Sequence, residues 1–231
     1  MTTRERLAAL NPVFALEVRT PRVTLRFPTD DDLVDLAELG LRGVHAPDAM
    51  PFETPWTEVP APFQQRNTLQ WFWQQRATIQ SDAPFITMAT VVDDVVVGTQ
   101  GLVTSSWKGT RTFETGSWVG LEYQGKGIGK EMRIAALHLG FDGFGARRMI
   151  TEAFADNPSS VGVTESLGYR PNGDVYVSRG GAPTRSVRYV MEPDDFERLR
   201  RDDIEITGAE AVLGMIGSEH VPGKPAPEPG S

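Results

Sequence analysis

Residues 116–131, GSWVGLEYQGKGIGKE, decide the fold class of this chain, because they join a strand-like segment to a helix-like one through glycines. The strand-like part covers residues 113–119, the glycine-rich turn covers 124–129, and the helix-like part covers 130–143. Such a turn presents free backbone N–H groups at a helix start, where the helix dipole adds positive potential. The segment therefore predicts a binding site for a phosphate or a pyrophosphate.

The glycines of this turn narrow the choice of ligand. Gly125, Gly127 and Gly129 let the backbone approach an anion and adopt positive φ where the turn requires it. The nucleoside-triphosphate pattern G-x-x-x-x-G-K-[ST] nearly fits residues 120–127, but Gly127 stands where a hydroxyl must hold Mg²⁺. The dinucleotide pattern G-x-G-x-x-G fails because Lys130 occupies its sixth position. A nucleoside-triphosphate binder therefore remains an alternative, although Gly127 in place of a serine or threonine argues against it.

The pattern Q-x-x-G-x-G/A does fit, with Gln124, Gly127 and Gly129 at its fixed positions. It resembles the pyrophosphate loop of the GNAT acyltransferases, a family that binds acyl-coenzyme A (acyl-CoA). The alternative is an ordinary glycine-rich turn between a strand and a helix. The resemblance implies the following coenzyme-binding residues: Trp118, Val119, Gln124, Gly125, Lys126, Gly127, Ile128, Gly129, Lys130, Asn157 and Ser160.

Other segments carry the same resemblance. Residues 156–169, which begin DNPSSV and end LGY, are similar to the pattern DNPxS…nGF/Y of the ribosomal-protein N-terminal acetyltransferases within the family. Residues 116–118 resemble the family strand end G-[YSW]-W, and the whole resemblance covers residues 21–191. Residues 43–52 and 55–57 resemble an actinobacterial branch in which some members use succinyl-CoA. The implied acyl donor is therefore acetyl-CoA or succinyl-CoA.

The rest of the chain alternates between strand and helix patterns. Strands are predicted at residues 22–27, 85–92, 95–102, 112–119, 149–155, 175–178 and 185–191. Helices are predicted at residues 31–40, 63–80, 130–143, 158–167 and 193–201, with a short one at 207–216. This order predicts a mixed α/β (α+β) chain. The resemblance implies a GNAT fold, in which a mostly antiparallel sheet flanked by helices splays between the parallel strands 112–119 and 149–155 and admits the pantetheine arm.

The length of the chain suits one domain of ordinary size with appendages. We expect an N-terminal extension at residues 1–20, an acyltransferase domain at 21–201 and an acidic, proline-rich tail at 202–231. The tail carries six acidic side chains and one lysine. Its last part, residues 218–231, holds four prolines without an apolar period, which predicts disorder.

Composition excludes several classes of protein. The lack of cysteine excludes disulfides, cysteine-ligated zinc and a cysteine acyl-enzyme, and His45, His138 and His220 lack metal-site spacing, so no metal is expected. The sequence has neither a long apolar run nor a secretory h-region, which argues against a membrane partner and favours the cytoplasm. A net charge of −8 argues against nucleic acid and weakly favours a cationic acceptor.

Acyl transfer from a thioester to an amine requires amine deprotonation, a stabilised carbonyl oxygen and a protonated leaving group. Without cysteine or a G-x-S-x-G motif, direct attack by the amine in a ternary complex is the simplest route. The resemblance implies that backbone N–H groups near Trp118 and Val119 polarise the carbonyl and that Ser160 protonates the thiolate. Tyr169 is a substitute proton donor, and Glu114 matches a family E-x-G position from which it would deprotonate the amine through water. Each residue also has a structural alternative. Ser160 suits the first turn of a helix, Tyr169 suits the core, and Glu114 suits a solvated position on a strand.

Two residues have both a structural and a ligand-binding interpretation. Asn157 matches a family position that contacts the coenzyme arm, but it also suits a helix cap. Close relatives carry a glutamate at the position of Arg179, so the base role of that glutamate does not transfer to this chain. The Arg179 guanidinium instead suits the carboxylate of a succinyl group or of an acidic substrate, or simply lies in water.

The proline-rich loop 45–57 is the candidate for acceptor binding or for the acyl pocket, because it is long and mixes aromatic with polar side chains. Hydrophobic anchoring of the loop to the core is the alternative. The candidate substrate-binding residues are His45, Asp48, Met50, Phe52, Trp56 and Arg179.

The leading hypothesis is an N-acyltransferase that moves an acetyl or succinyl group from the CoA thioester to a primary amine. The acceptor could be a protein N-terminus, a lysine or a small molecule, and the sequence does not choose among them. The oligomeric state is also open, with a homo-oligomer as one possibility. The alternative from another class is a non-catalytic CoA-binding sensor. Substitution of Glu114 and Ser160 distinguishes the enzyme from the sensor.

Overall fold

A computed structural model of the chain describes residues 1–79 and 81–217. Its helices are α1 (Thr3–Leu10), α2 (Asp30–Arg42), α3 (Phe63–Arg76), α4 (Trp107–Thr110), α5 (Ile128–His138), α6 (Pro158–Ser166), α7 (Pro193–Phe196) and α8 (Ala209–Met215). Its strands are β1 (Glu17–Arg19), β2 (Thr24–Arg26), β3 (Phe85–Val92), β4 (Val95–Val103), β5 (Thr112–Val119), β6 (Arg148–Phe154), β7 (Arg170–Arg179), β8 (Ala182–Met191) and β9 (Glu205–Thr207).

The strands form one nine-stranded sheet in the order β7-β8-β6-β5-β4-β3-β2-β1-β9. Neighbouring strands run antiparallel, with the exception of β5 and β6, which run parallel. Helices flank this sheet. The predicted mixed α/β class, the mostly antiparallel sheet and the parallel pair are therefore confirmed.

The parallel pair separates part of the way along its length. Pairing runs from Thr112 opposite Arg148 to Thr115 opposite Thr151 and then stops, although both strands continue. Over residues 116–119, β5 remains paired with β4, while β6 remains paired with β8 up to Phe154. The edge of β5 that faces β6 is therefore without a strand partner over these residues, and this opening is called the splay below.

Helices cover both faces of the sheet. On one face, α5 contributes Met132 to the larger hydrophobic core, where it shares a cluster with Phe113 of β5. On the other face, α2 and α3 pack Leu33 and Phe72 against β3 and β4. Because side chains alternate along a strand, Glu114 points away from α5 and toward the second face. The α5 face and the second face therefore carry different parts of the site.

Several predicted elements have different bounds in the structure. The helix predicted at 130–143 begins earlier, at Ile128, and ends at His138, after which Leu139–Gly143 form a π-helical turn. This turn packs closely on β6, because a Cβ on Gly140 would lie 2.4 Å from the Met149 sulfur. The helices predicted at 63–80 and 193–201 are shorter, with α3 ending at Arg76 and α7 at Phe196.

Strand pairing connects the predicted N-terminal extension and C-terminal tail with the predicted acyltransferase domain. The three-residue strand β1 pairs with both β2 and β9, which places residues 17–19 and 205–207 in the sheet, and the division into three parts stays a prediction. Beyond β9, Val212 and Ile216 are buried in the main core. The short segments of β1 and β9, EVR and EIT, show no sustained alternation in the sequence. Residues 218–231, predicted to be disordered, lie outside the described residues.

Within residues 1–79 and 81–217, no helix combines the length and the apolar character needed to cross a membrane.

Candidate active site

The glycine-rich turn leads directly into α5. Gly125 and Gly127 have φ values of 71° and 79°, in the left-handed region that favours glycine. Gly127 is the N-cap of α5, and no side chain accepts a hydrogen bond from the first turn of this helix. Because the first N–H groups of a helix have no partner inside the helix, those of Ile128 and Gly129 are available to an external anion.

Two side chains fix the position of this turn. The Gln124 side-chain amide donates to the carbonyl of Val119 at 2.9 Å and to that of Val44 at 2.8 Å. Arg22, which we did not predict as a site residue, donates from Nη2 to the Lys126 carbonyl at 2.6 Å. The turn is therefore tied to the end of β5 and carries an additional cation beside the anion site.

The two lysines of the predicted phosphate site also have defined positions. The Lys126 ammonium lies 5.5 Å from the centre of the Tyr123 ring, and its residue is exposed. Lys130 donates to the Ser166 carbonyl at 3.4 Å, a long contact at the end of α6. Both residues remain near the start of α5, where their charge favours an anion.

The start of α6 lies just beyond the end of β6. The Asn157 side-chain oxygen accepts a hydrogen bond from the Ser160 N–H at 3.1 Å, and Pro158 occupies the first turn. Asn157 is thus a helix cap, as one of its two interpretations required. Ser160 is partly exposed in the same turn, and the structure leaves its catalytic role as a prediction.

The second face of the sheet carries a pair of carboxylates. Glu114 of β5 is an exposed residue, yet surrounding protein desolvates its carboxylate and raises its pKa, and the charge of Glu152 raises the pKa further. Glu152 of β6 forms an ion pair with Arg188 of β8, whose positive charge partly opposes the rise. A carboxylate with a raised pKa is a stronger base than an ordinary one and is therefore better suited to accept a proton.

Tyr169 has a different environment from the other catalytic candidates. It is 4% exposed and belongs to the main core. Its hydroxyl has no hydrogen-bond partner among the described residues, although Thr115 and Arg133 lie close enough to lower its pKa. Burial outweighs both groups and raises the pKa of this hydroxyl, so Tyr169 is neutral at physiological pH.

The loop between α2 and α3 packs aromatic side chains toward the splay. Ring centres lie 5.9 Å apart for His45 and Phe52, 5.2 Å for Phe52 and Trp56, and 5.6 Å for Trp56 and Trp118. The His45 imidazole also contacts the Thr57 hydroxyl and the Ala46 carbonyl, each at 2.8 Å. These contacts connect the loop to β5 at Trp118 and support an anchoring role for the aromatic residues.

Asp48 is not part of this aromatic group. It is exposed in a turn in which the Ala49 N–H donates to the Ala46 carbonyl at 3.1 Å. No hydrogen bond or ion pair connects the Asp48 side chain with any other part of the described chain. Of the predicted loop residues, Asp48 therefore has the weakest structural link to the splay.

Arg179 joins three parts of the site. It contacts both carboxylate oxygens of Asp156, one of them at 3.0 Å, and its Nη1 donates to the Met50 carbonyl at 3.0 Å. Its guanidinium also lies 4.3 Å from the centre of the Phe154 ring. Because the charge of Arg179 is already paired, a ligand carboxylate would have to compete with Asp156 for it.

Arg133 is a second site residue that we did not predict from the sequence. This residue of α5 is only 5% exposed and donates to the hydroxyls of Ser117 and Thr151, each at 3.1 Å. A single arginine within the apolar run of residues 132–137 is the sequence feature that signals it. No group of three or more histidine, cysteine or acidic residues suited to a metal ion occurs in the described ranges.

A family model described as "Acetyltransferase (GNAT) domain" matches residues 22–170, which is more than half of the chain. The chain therefore belongs to the GNAT acetyltransferase family, and the family predicted from the loop and from the segment at Asn157 is confirmed.

Solved structures have the same fold at low sequence identity. The chain is similar to Mycobacterium smegmatis RimJ in complex with CoA-disulfide, with 16% identity, a TM-score of 0.63, and coverage of 87% of this chain and 93% of that one. It is also similar to RimL, a ribosomal-protein acetyltransferase in complex with coenzyme A, with 17% identity, a TM-score of 0.64, and coverage of 76% and 97%. For ribosomal-protein-S5-alanine acetyltransferase from Vibrio fischeri the identity is 19%, the TM-score 0.61, and the coverage 78% and 97%.

Proposed function

We propose that the chain is an acyl-CoA-dependent N-acyltransferase that uses direct attack by an amine in a ternary complex. The observation that carries this proposal is the placement of an uncapped helix start beside an unpaired strand edge. Gly127 begins α5 without a capping side chain, and β5 ends at Val119 with its splay edge open. An extended ligand with a phosphate group at one end and amides along its length fits this arrangement.

The phosphates of the coenzyme would bind at the first turn of α5. The N–H groups of residues 125–130 supply the donors, and Arg22, Lys126 and Lys130 supply positive charge. The pantetheine arm would then enter the splay, where the strand edge at Ser117 and Val119 offers backbone partners. Asn157 and Ser160 would line the opposite side, from the start of α6.

Glu114 is our proposed general base. Its raised pKa makes the carboxylate a stronger base, and Glu114 lies on the face of the sheet that holds the aromatic loop. The amine nitrogen would bond to the acyl carbon while the carbon–sulfur bond breaks. Ser160 is the proposed donor to the thiolate, with Tyr169 as the second choice because its hydroxyl is buried in the core.

We propose acetyl-CoA rather than succinyl-CoA as the donor. The cation that would select a succinyl carboxylate, Arg179, is paired with Asp156. A succinyl group would therefore have to replace an existing ion pair to gain a new one, with little net benefit.

The acceptor is proposed to be a primary amine, with a protein N-terminus as the leading candidate. Glu114 and Glu152 give the second face negative charge that favours an ammonium group before it loses its proton. The names of the similar structures RimL and the Vibrio fischeri enzyme point to ribosomal-protein amines, which supports a protein acceptor for this chain. We further propose the cytoplasm as its compartment.

A thiol-release assay tests the proposed function. The full chain is mixed with acetyl-CoA and peptides bearing free α-amines, and mass spectrometry locates the added acetyl group. We expect release of free coenzyme A, and a loss of about 10²-fold or more in kcat for Glu114→Gln. Binding of acetyl-CoA with no transfer to any amine, together with unchanged behaviour of Glu114→Gln and Ser160→Ala, would instead identify a non-catalytic CoA sensor.

A further inference from the structure

Arg133 is a buried cation at the point where β5 and β6 separate. Its two terminal nitrogens donate to Ser117 of β5 and Thr151 of β6, each at 3.1 Å. Thr151 belongs to the last parallel pair, and Ser117 lies two residues beyond the end of that pairing. The guanidinium therefore spans the narrow end of the splay from the α5 side.

This cation has no anionic partner within residues 1–79 and 81–217. Its only hydrogen bonds there go to neutral hydroxyls, and its Nε atom has no partner. In the same described ranges, the nearby Tyr169 hydroxyl lies beside Arg133 and Thr115 without a hydrogen bond of ordinary geometry, so two polar groups more than nine-tenths buried meet at one place. Because an unpaired buried charge is costly to a protein, a ligand that supplies negative charge would relieve this cost.

The position of Arg133 along α5 indicates which part of a ligand reaches it. Arg133 lies six residues after the Gly127 cap, or about 9 Å along the helix axis. A coenzyme whose phosphates bind at Gly127 and whose arm enters the splay would bring that arm, which ends in the thiol, to this guanidinium, and not its phosphates. This step rests on the proposed function.

We infer that Arg133 binds the sulfur end of the coenzyme and stabilises the thiolate that leaves during acyl transfer. The amine nitrogen forms its bond to the acyl carbon, and the carbon–sulfur bond breaks with its electron pair on sulfur. The amine loses its proton to the proposed base, Glu114. The sulfur receives a proton from the proposed acid, Ser160, or from the protonated base. Arg133 gives no proton in this sequence and acts by its charge.

The charged groups around Arg133 leave its field unopposed. On the same helix, the Glu131 carboxylate is paired with Arg201, and His138 contacts Asp142. On β5 and β6, Glu114 and Glu152 point to the other face of the sheet, and Thr115, Ser117 and Thr151 are neutral. From the start of β7, Tyr169 adds a neutral hydroxyl, whose raised pKa keeps it neutral in mildly alkaline solution.

The test compares coenzyme A with desulfo-coenzyme A, which lacks the sulfur, by calorimetry with the full chain. At about pH 9 a guanidinium beside the sulfur should draw the bound thiol into its thiolate form, so we expect wild type to bind coenzyme A at least about tenfold more tightly than the desulfo analogue. At about pH 6 the two affinities should agree within about twofold, because the thiol is then neutral. Equal affinities at both pH values would overturn the inference.

Variants assign the effect to the guanidinium. Arg133→Met removes the charge with similar volume and should abolish the alkaline preference, whereas Arg133→Lys should restore part of it. Thr151→Val, which removes one partner of the guanidinium but keeps its charge, should retain the preference. If Arg133→Met still prefers coenzyme A to desulfo-coenzyme A at alkaline pH, the inference is overturned. It is also overturned if the substitution changes the binding of succinyl-CoA alone.

Failure of the proposed function gives a different result from failure of this inference. If wild type binds neither coenzyme A nor its desulfo analogue, the proposed function fails and the inference fails with it. If wild type binds both equally and still transfers acetyl groups, only the inference fails. Should Arg133→Met not fold, the wild-type comparison at the two pH values decides alone.

Discussion

Arg179 and Asp156 form an ion pair that joins the β7–β8 hairpin to the start of α6. The same guanidinium donates to the Met50 carbonyl, so the loop between α2 and α3 is held by the pair as well. The Arg179 side chain is 18% exposed and the Asp156 side chain is 60% exposed, so water and salt reach the pair from the Asp156 side. Three segments that are far apart in the sequence thus meet at one charged contact beside the splay.

We predict that Arg179→Met weakens acceptor binding more than coenzyme binding. Loss of the hydrogen bonds to Met50 and Asp156 frees the loop, so KM for the peptide should rise about tenfold, the expected scale for a charge-assisted contact. Steady-state kinetics with varied peptide and calorimetry with acetyl-CoA measure the two effects. Arg185→Met is the control, since Arg185 pairs with Asp174 on the exposed part of the same hairpin. An equal effect of both substitutions, or a selective loss of succinyl-CoA binding, would contradict the proposal.

The two glycines at the start of α5 should respond differently to alanine. Gly127→Ala places a Cβ at φ 79° and 3.1 Å from Arg22, so stability should fall by about 1–2 kcal/mol and coenzyme affinity should fall with it. Gly129→Ala lies inside the helix with open space around the new Cβ, so stability should hold or rise by up to about 1 kcal/mol. Its coenzyme affinity should nevertheless fall, because the added methyl group occupies the proposed phosphate site.

Thermal melting and calorimetry of these two variants give the measurement. Unchanged affinity in Gly129→Ala would place the phosphate elsewhere, even if Gly127→Ala behaves as expected.

Asn157→Ala should lower stability by about 1 kcal/mol, because the cap of α6 is lost. In a chain of this size that corresponds to a fall of about 2–4 °C in Tm. Asn157→Ser retains a capping oxygen and should keep most of the stability. If the amide also contacts the coenzyme arm, Asn157→Ser will still bind acetyl-CoA more weakly than wild type; equal binding would restrict Asn157 to its structural role.

Glu114 should give opposite pH effects on activity and stability. As the proposed base it must be ionised, so kcat/KM should fall on the acid side below the raised pKa of Glu114. In the folded protein Glu114 holds its proton to higher pH than in the unfolded chain, so stability falls as pH rises from about 4.5 through the folded pKa. Glu114→Gln should therefore melt at a higher temperature than wild type at pH 7. At low pH, where Glu114 is protonated, the two proteins should melt at the same temperature.

The matched control for this prediction is Glu152→Gln. It removes the charge that helps to raise the pKa of Glu114 and also frees Arg188, so the acid limb of the activity profile should move to lower pH. An acid limb that persists in Glu114→Gln would exclude Glu114 as the base.

The sequence predicted the central architecture because local patterns determine it. The loop residues Gln124, Gly127 and Gly129 mark a strand-to-helix turn, and the neighbouring strands have clear apolar patterns. We predicted that α5 begins at residue 130, but it begins at Ile128. Gly129 lies in the first turn, and because glycine is unfavourable in a helix it was assigned to the preceding turn. The strands β1 and β9 were missed because their pairing depends on contacts between the two ends of the chain.

Contacts across the fold limited the prediction of the site. Arg179 was predicted to meet a ligand carboxylate or to lie in water, whereas the structure pairs it with Asp156 of the chain itself, a contact that depends on the hairpin geometry. Arg22 and Arg133 reach the loop and the splay from elements whose sequence gives no binding motif. Tyr169 ends in the core, a position that its neighbours Leu167 and Gly168 do not determine.

The most direct test of the account is a calorimetric titration of the full chain with acetyl-CoA, alongside ATP with Mg²⁺. We predict one saturable site for acetyl-CoA, weakened by Gly129→Ala, and no binding of ATP. If no form of coenzyme A binds while ATP with Mg²⁺ does, the turn at residues 124–129 is a nucleotide site and the proposed acyl transfer is wrong.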